Sequence, residues 1–192
     1  MNMRWIPVAA ALLGAAACSS EPAEAPPLRG ARIGGPIALT DQNGRAFTDR
    51  QLAGRYRIMY FGYTFCPDVC PTDVQTISLA MRLLEDRDPA LAARITPVFV
   101  SVDPARDTPA VLKQFAANFH PRLVALTGSA ADIARTAKEF GIYYARGQGT
   151  KQGYLVDHSR QIYLMDTDGK PLALLPEGAP GAMADEIVKW AH

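Results

Sequence analysis

Tyr60-Phe61-Gly62-Tyr63-Thr64-Phe65-Cys66-Pro67-Asp68-Val69-Cys70-Pro71 is the stretch on which the fold of this 192-residue chain turns. Its first part completes a β-branched and aromatic run from Arg57 to Tyr63, the composition of a strand. Pro71 opens a second run with apolar residues at Val74, Ile77, Met81 and Leu84, spaced as on one face of a helix. Cys66 and Cys70 therefore fall at a strand-to-helix junction. Residues four apart in a helical turn share a face and can point both sulfurs at one atom, so the pair could hold one metal or close one disulfide. Two thiolates are soft ligands that suit copper(I) or zinc, and an imidazole could complete the shell for copper in either common oxidation state.

Outward from this junction, strands and helices alternate. Ala38–Thr40 and Arg45–Thr48 flank Asn43-Gly44, a dipeptide that favours a hairpin turn. Ile95 to Val102 reads as a fully buried strand. Thr108-Pro109 reads as an N-cap and first-turn proline for a helix to about Asn118. A short strand is expected at Leu123–Leu126 and a helix from Ser129 to Phe140. Gln161–Met165 and Leu172–Leu175 flank Asp168-Gly169 as a second hairpin, and a last helix is expected within Glu177–Ala191. This order predicts an α/β protein with a thioredoxin-like fold, a central mixed β-sheet flanked by helices, and an N-terminal hairpin.

The N-terminus reads as an export signal over residues 1–17: Arg4 supplies a positive charge, Trp5–Leu13 is mostly apolar, and small residues precede Cys18. Cys18 is expected to become a lipidated first residue. Residues 18–35, rich in Ala, Pro and Glu, have the composition of a flexible tether, which leaves 36–192 as one folded domain. A formal net charge of +1 without a basic run leaves no electrostatic footprint for nucleic acid. With Cys18 assigned to processing, Cys66 and Cys70 are the one possible intrachain pair.

Three segments carry a resemblance: the quoted stretch, then Ser101-Val102-Asp103-Pro104-Ala105-Arg106-Asp107-Thr108-Pro109, then Val156-Asp157-His158-Ser159. Together they resemble the Sco/SenC family of copper chaperones, from about Ile37 to the C-terminus. The resemblance implies a thioredoxin-like domain that binds one copper ion, Cu+ or Cu2+, through Cys66, Cys70 and His158. It also implies a role in assembling the dinuclear copper centre of cytochrome c oxidase. The implied partners are the copper-binding subunit of that oxidase or another periplasmic copper chaperone. The implied place is the bacterial periplasm, on a membrane through the N-terminal anchor.

Other readings compete. A structural disulfide is the common fate of paired cysteines in exported proteins, but so small a loop would make a weak staple. A helix N-terminus favours the thiolate, which can ligate copper or attack a disulfide. A thiol-disulfide reductase acting through Cys66 and Cys70 is thus the alternative, although the three-residue spacer differs from the two residues of common thioredoxin-like oxidoreductases. A peroxiredoxin-like peroxidase fits poorly with a second thiol at Cys70. His158 is placed in a loop ahead of the Gln161 strand, with Asp157 able to orient its ring. Asp68 is read as a turn cap. Asp103 and Asp107 are read as caps near a helix start, and Met59, Met81 and Met165 as core filler.

Overall fold

A computed structural model describes residue 1, residues 24–150 and residues 153–192. Most of the expected signal peptide, and Cys18, lie outside the described residues. Among the described residues no helix is long and apolar enough to cross a membrane.

The chain runs β1 (Ala38–Asp41), β2 (Ala46–Thr48), a 3-10 turn (Asp49–Leu52), β3 (Tyr56–Gly62), α1 (Val69–Arg87), α2 (Pro89–Ala93), β4 (Ile95–Ser101), α3 (Pro109–Ala116) and β5 (Val124–Thr127). It continues with α4 (Ala130–Glu139), β6 (Tyr144–Thr150), β7 (Gly153–His158), β8 (Ile162–Met165), β9 (Pro171–Leu175) and α5 (Pro180–Trp190). Seven strands form one mixed sheet in the order β2-β1-β5-β4-β3-β8-β9, while β6 and β7 pair only with each other. The sheet is parallel at β3–β4 and β4–β5 and antiparallel toward both edges. This is the thioredoxin-like α/β architecture expected from the sequence.

Every residue of β3 and β4 is buried, as central parallel strands covered on both faces must be. Phe61 and Phe99 are fully buried, and Met59, Met81 and Met165 are core residues at no more than 1% exposure. Expected caps are present: Thr108 accepts from the Val111 N–H at 3.4 Å, and Ser129 from the Asp132 N–H at 3.1 Å. Gly44, at φ +77°, makes the turn between β1 and β2.

Three expectations are corrected. The β6–β7 hairpin was not foreseen; His158 is the last residue of β7, paired with Tyr144, rather than part of a loop. α1 starts at Val69, ahead of Pro71, so Cys70 is already helical. Residues 26–34, inside the expected tether, lie on the domain: the Leu28 N–H donates to the Leu172 carbonyl at 3.0 Å and the Gly34 N–H to the Glu139 carbonyl at 2.9 Å. Leu28 and Ile33 pack against the core, so apolar burial outweighs the freedom that the Ala/Pro composition suggests.

His120, which carries no sequence motif, is buried at 1% exposure. The Arg122 N–H donates to its Nδ1, leaving Nε2 3.3 Å from a Glu85 oxygen. Burial pushes the imidazole below its ordinary value, and Glu85 offsets this only in part. The unfolded chain therefore takes up a proton near pH 6.5 that the folded protein resists, and stability falls as pH drops through that value. Denaturant unfolding at pH 7.5 and 5.5 should show a smaller acid loss for His120→Gln than for the wild type; equal losses would show that His120 takes no part.

Candidate metal centre

β3 ends at Gly62, and the chain then crosses the top of the sheet to Cys66 before α1 begins. A Cβ added at Gly62 would stand 3.1 Å from Cys70 Sγ and from atoms of Phe99 and Tyr60. A side chain here would crowd Cys70, which explains the glycine in a strand that otherwise carries large residues.

The Sγ atoms of Cys66 and Cys70 and a ring nitrogen of His158 lie within 4.8 Å of one another. This is the one such group of His, Cys, Asp or Glu donors found among the described residues. Cys70 is fully buried, whereas Cys66 is partly exposed, and both thiols are free. The Cys70 N–H donates to Cys66 Sγ at 3.4 Å, so sulfur takes the place of an N-cap acceptor. Asp68 makes no side-chain cap bond, contrary to the turn-cap reading.

His158 Nε2 is 3.1 Å from Cys70 Sγ, and its Nδ1 is 2.8 Å from the Ser159 carbonyl. A carbonyl can only accept, so Nδ1 carries the ring proton and the Nε2 lone pair faces Cys70. That is the tautomer a metal ligand needs. The expected orienting carboxylate, Asp157, is instead exposed; alternation along β7 turns residue 157 away from the side that carries residue 158.

Burial pushes the Cys70 thiol well above its ordinary value, and the neighbouring Cys66 adds to the shift. Loss of hydration thus works against the thiolate that the N-terminus of α1 favours. In the metal-free protein Cys70 is a thiol whose S–H can point at Nε2. Two sulfurs and one imidazole nitrogen form a donor set that suits a soft ion such as copper(I).

The surroundings are aromatic. Tyr60 and Tyr63 meet His158 edge-on, with centroids 6.4 Å and 5.8 Å away. Both tyrosines are buried, but Phe65 is half exposed and lies under Arg106, whose guanidinium is 4.8 Å from its ring. Arg106 also stacks on Tyr154 at 3.7 Å and pairs with Asp103, which accepts from the Tyr154 hydroxyl at 2.7 Å.

Asp107 is fully buried. It accepts from the Thr64 N–H at 3.0 Å, the Thr64 hydroxyl at 2.6 Å and the Ser101 hydroxyl at 2.5 Å. Neither Asp103 nor Asp107 is a helix cap, since Thr108 fills that role for α3. Sequence reasoning missed their function, although the presence of Thr108 as a sufficient cap was the signal that Asp107 had other work. Asp73 and Arg160 were also missed as neighbours of the site, whereas the aromatic run through Tyr60 and Tyr63 lies beside it.

A family model described as SCO1/SenC matches residues 25–192. The yeast mitochondrial protein SCO2 is 41% identical over 140 residues, covering 72% of this chain and 46% of the relative. An SCO2-like protein of Rickettsia prowazekii is 42% identical over 141 residues, covering 72% and 67%. The chain thus spans about half the length of the yeast relative. The crystal structure of Arabidopsis thaliana ScoI with copper bound superposes with a TM-score of 0.77 at 34% identity, covering 82% of this chain and 96% of that one. By its family match over residues 25–192 and its 42% identity to a relative covered to two thirds, this chain belongs to the SCO1/SenC family.

Proposed function

We propose that this protein is a copper-binding metallochaperone that carries one copper ion on Cys66, Cys70 and His158 and delivers it to the dinuclear copper centre of cytochrome c oxidase. The convergence of these donor atoms within 4.8 Å carries the reading, and the copper-bound plant relative supports it. Copper is cargo here: the ligands bind it, exclude water and release it by exchange. Cys66, the partly exposed thiol, is the ligand that a partner's soft donor displaces first, while buried Cys70 keeps hold of the ion until a second donor arrives. The domain starts in this reading near residue 25. Residues 1–17 serve as an export signal, and Cys18 carries the lipid that holds the protein at the periplasmic membrane.

The first experiment is anaerobic copper titration of the reduced full chain in detergent. One tight equivalent is expected; a protein that takes up none would sink the chaperone. Because burial keeps Cys70 protonated, copper must displace that proton, so affinity rises with pH. Each released proton contributes about tenfold per pH unit, and competition titrations at several pH values read the slope directly. A flat profile would show that Cys70 does not bind as thiolate.

The unequal exposure of the two thiols favours a second activity, reduction of an acceptor's disulfide. Cys66 thiolate attacks one sulfur of that disulfide and the partner's other thiolate leaves. Cys70, losing its proton, then attacks Cys66 and frees the second thiolate, so two electrons pass and a Cys66–Cys70 disulfide remains.

A further inference from the structure

Asp73 touches all three chain segments that deliver the donor atoms. It lies on α1, three residues beyond Cys70, and is 1% exposed. From β3, the strand leading to Cys66, the Tyr60 hydroxyl donates to its Oδ2 at 2.8 Å. From the link between β7 and β8, two residues beyond His158, Arg160 donates through Nε to Oδ2 at 3.2 Å and through Nη2 to Oδ1 at 2.8 Å. Arg160 Nη1 is held in turn by Glu177 at 3.0 Å.

A guanidinium fork on both carboxylate oxygens fixes angle as well as distance. Tyr60 closes the circuit, since the residue whose hydroxyl holds Asp73 also meets His158 edge-on with its ring. Cys66 lies outside this network: its Sγ accepts from the Cys70 N–H at 3.4 Å and its own N–H donates to the Tyr63 carbonyl at 3.4 Å. As a means of holding the fold together the network is a poor choice, because a buried carboxylate must be desolvated and apolar residues would fill the same space at least as well. Holding two side chains at a set distance is what such a network does well.

We propose that Tyr60, Asp73 and Arg160 form a clamp that holds His158 against Cys70 before copper arrives, making Cys70 and His158 a preformed half-site on which Cys66 closes. This rests on the copper reading above. Arg160 and Asp73 are positioning residues that act through the imidazole, not ligands.

The test is a double-mutant cycle on the reduced full chain in detergent, with Cu(I) titrated against a chromophoric competitor. Arg160→Gln is expected to weaken binding roughly tenfold, the scale of losing an outer partner at a metal site. Added to His158→Ala it should cost nothing more, because the clamp has lost its target; Arg160→Lys, which keeps charge but not the fork, should fail to restore affinity. Metal-free protein gives a second readout: Cys70 should be alkylated by iodoacetamide several-fold faster in Arg160→Gln than in the wild type. Tyr60→Phe keeps the ring, drops only the hydroxyl, and should move both readouts the same way, which covers the case of a poorly folded Arg160 variant. Wild-type affinity and alkylation in these variants, or an equal extra loss in the His158→Ala background, would overturn the clamp alone. A wild type that binds no copper would overturn the copper reading and the clamp with it.

Discussion

Cys70→Ala is expected to abolish tight copper binding while leaving a folded protein. The loss should exceed the roughly 10–100-fold that removal of an outer partner costs, because a donor atom itself is gone. Cys70 is fully buried beside Gly62 and Phe99, so removing its sulfur should cost about 1 kcal/mol of stability, the common scale of a point substitution. His158→Ala should also lose tight copper, yet it leaves both thiols in place. The pair of variants therefore separates the two activities: His158→Ala keeps disulfide exchange, and Cys70→Ala stops it at the mixed disulfide. Copper titration beside a disulfide-reduction assay reads both. Retention of wild-type copper affinity by His158→Ala would remove the imidazole from the site, despite its 3.1 Å approach to Cys70.

The contrast between these variants follows from which parts of the structure have local causes. β3 and β4 were legible because strands buried on both faces are written as continuous apolar runs. The starts of α3 and α4 were legible because Thr108-Pro109 and Ser129 carry their capping chemistry within a few residues. The donor residues could be read from spacing and motif. β6 and β7 could not, because they pair only with each other, and Arg146-Gly147-Gln148-Gly149 has neither alternation nor β-branched residues. The bonds around the site escaped for a different reason. Arg160 reaches Asp73 across 87 residues and Thr64 reaches Asp107 across 43, and one sequence gives no period or spacing to mark such a pair. The upward push on the Cys70 thiol was illegible for the same reason, since the helix start is visible locally and burial is not.

Asp107→Ala is expected to be the most damaging substitution outside the donor set. Its carboxylate is the acceptor for three groups, the Thr64 N–H, the Thr64 hydroxyl and the Ser101 hydroxyl. Alanine would leave these donors without that acceptor in a water-poor place, where each unsatisfied group costs about 1–3 kcal/mol. Some of that cost is offset, because burial already pushes the Asp107 carboxyl above its ordinary range and the variant has no buried charge to hold. A net loss of about 3 kcal/mol is therefore expected, read as a lower denaturant midpoint at unchanged slope. Asp107→Asn keeps one acceptor oxygen but turns the other into a donor facing hydroxyls that can rotate, so it should lose about half as much. The functional effect follows from position: Thr64 is two residues before Cys66, and Asp107 pins it to the end of β4 through Ser101. Freed from that anchor, the Thr64–Cys66 segment must be ordered by copper itself, so affinity falls in Asp107→Ala even under conditions where the protein remains folded. Full copper affinity in a destabilised Asp107→Ala protein would show that the Cys66 segment is set by α1 alone.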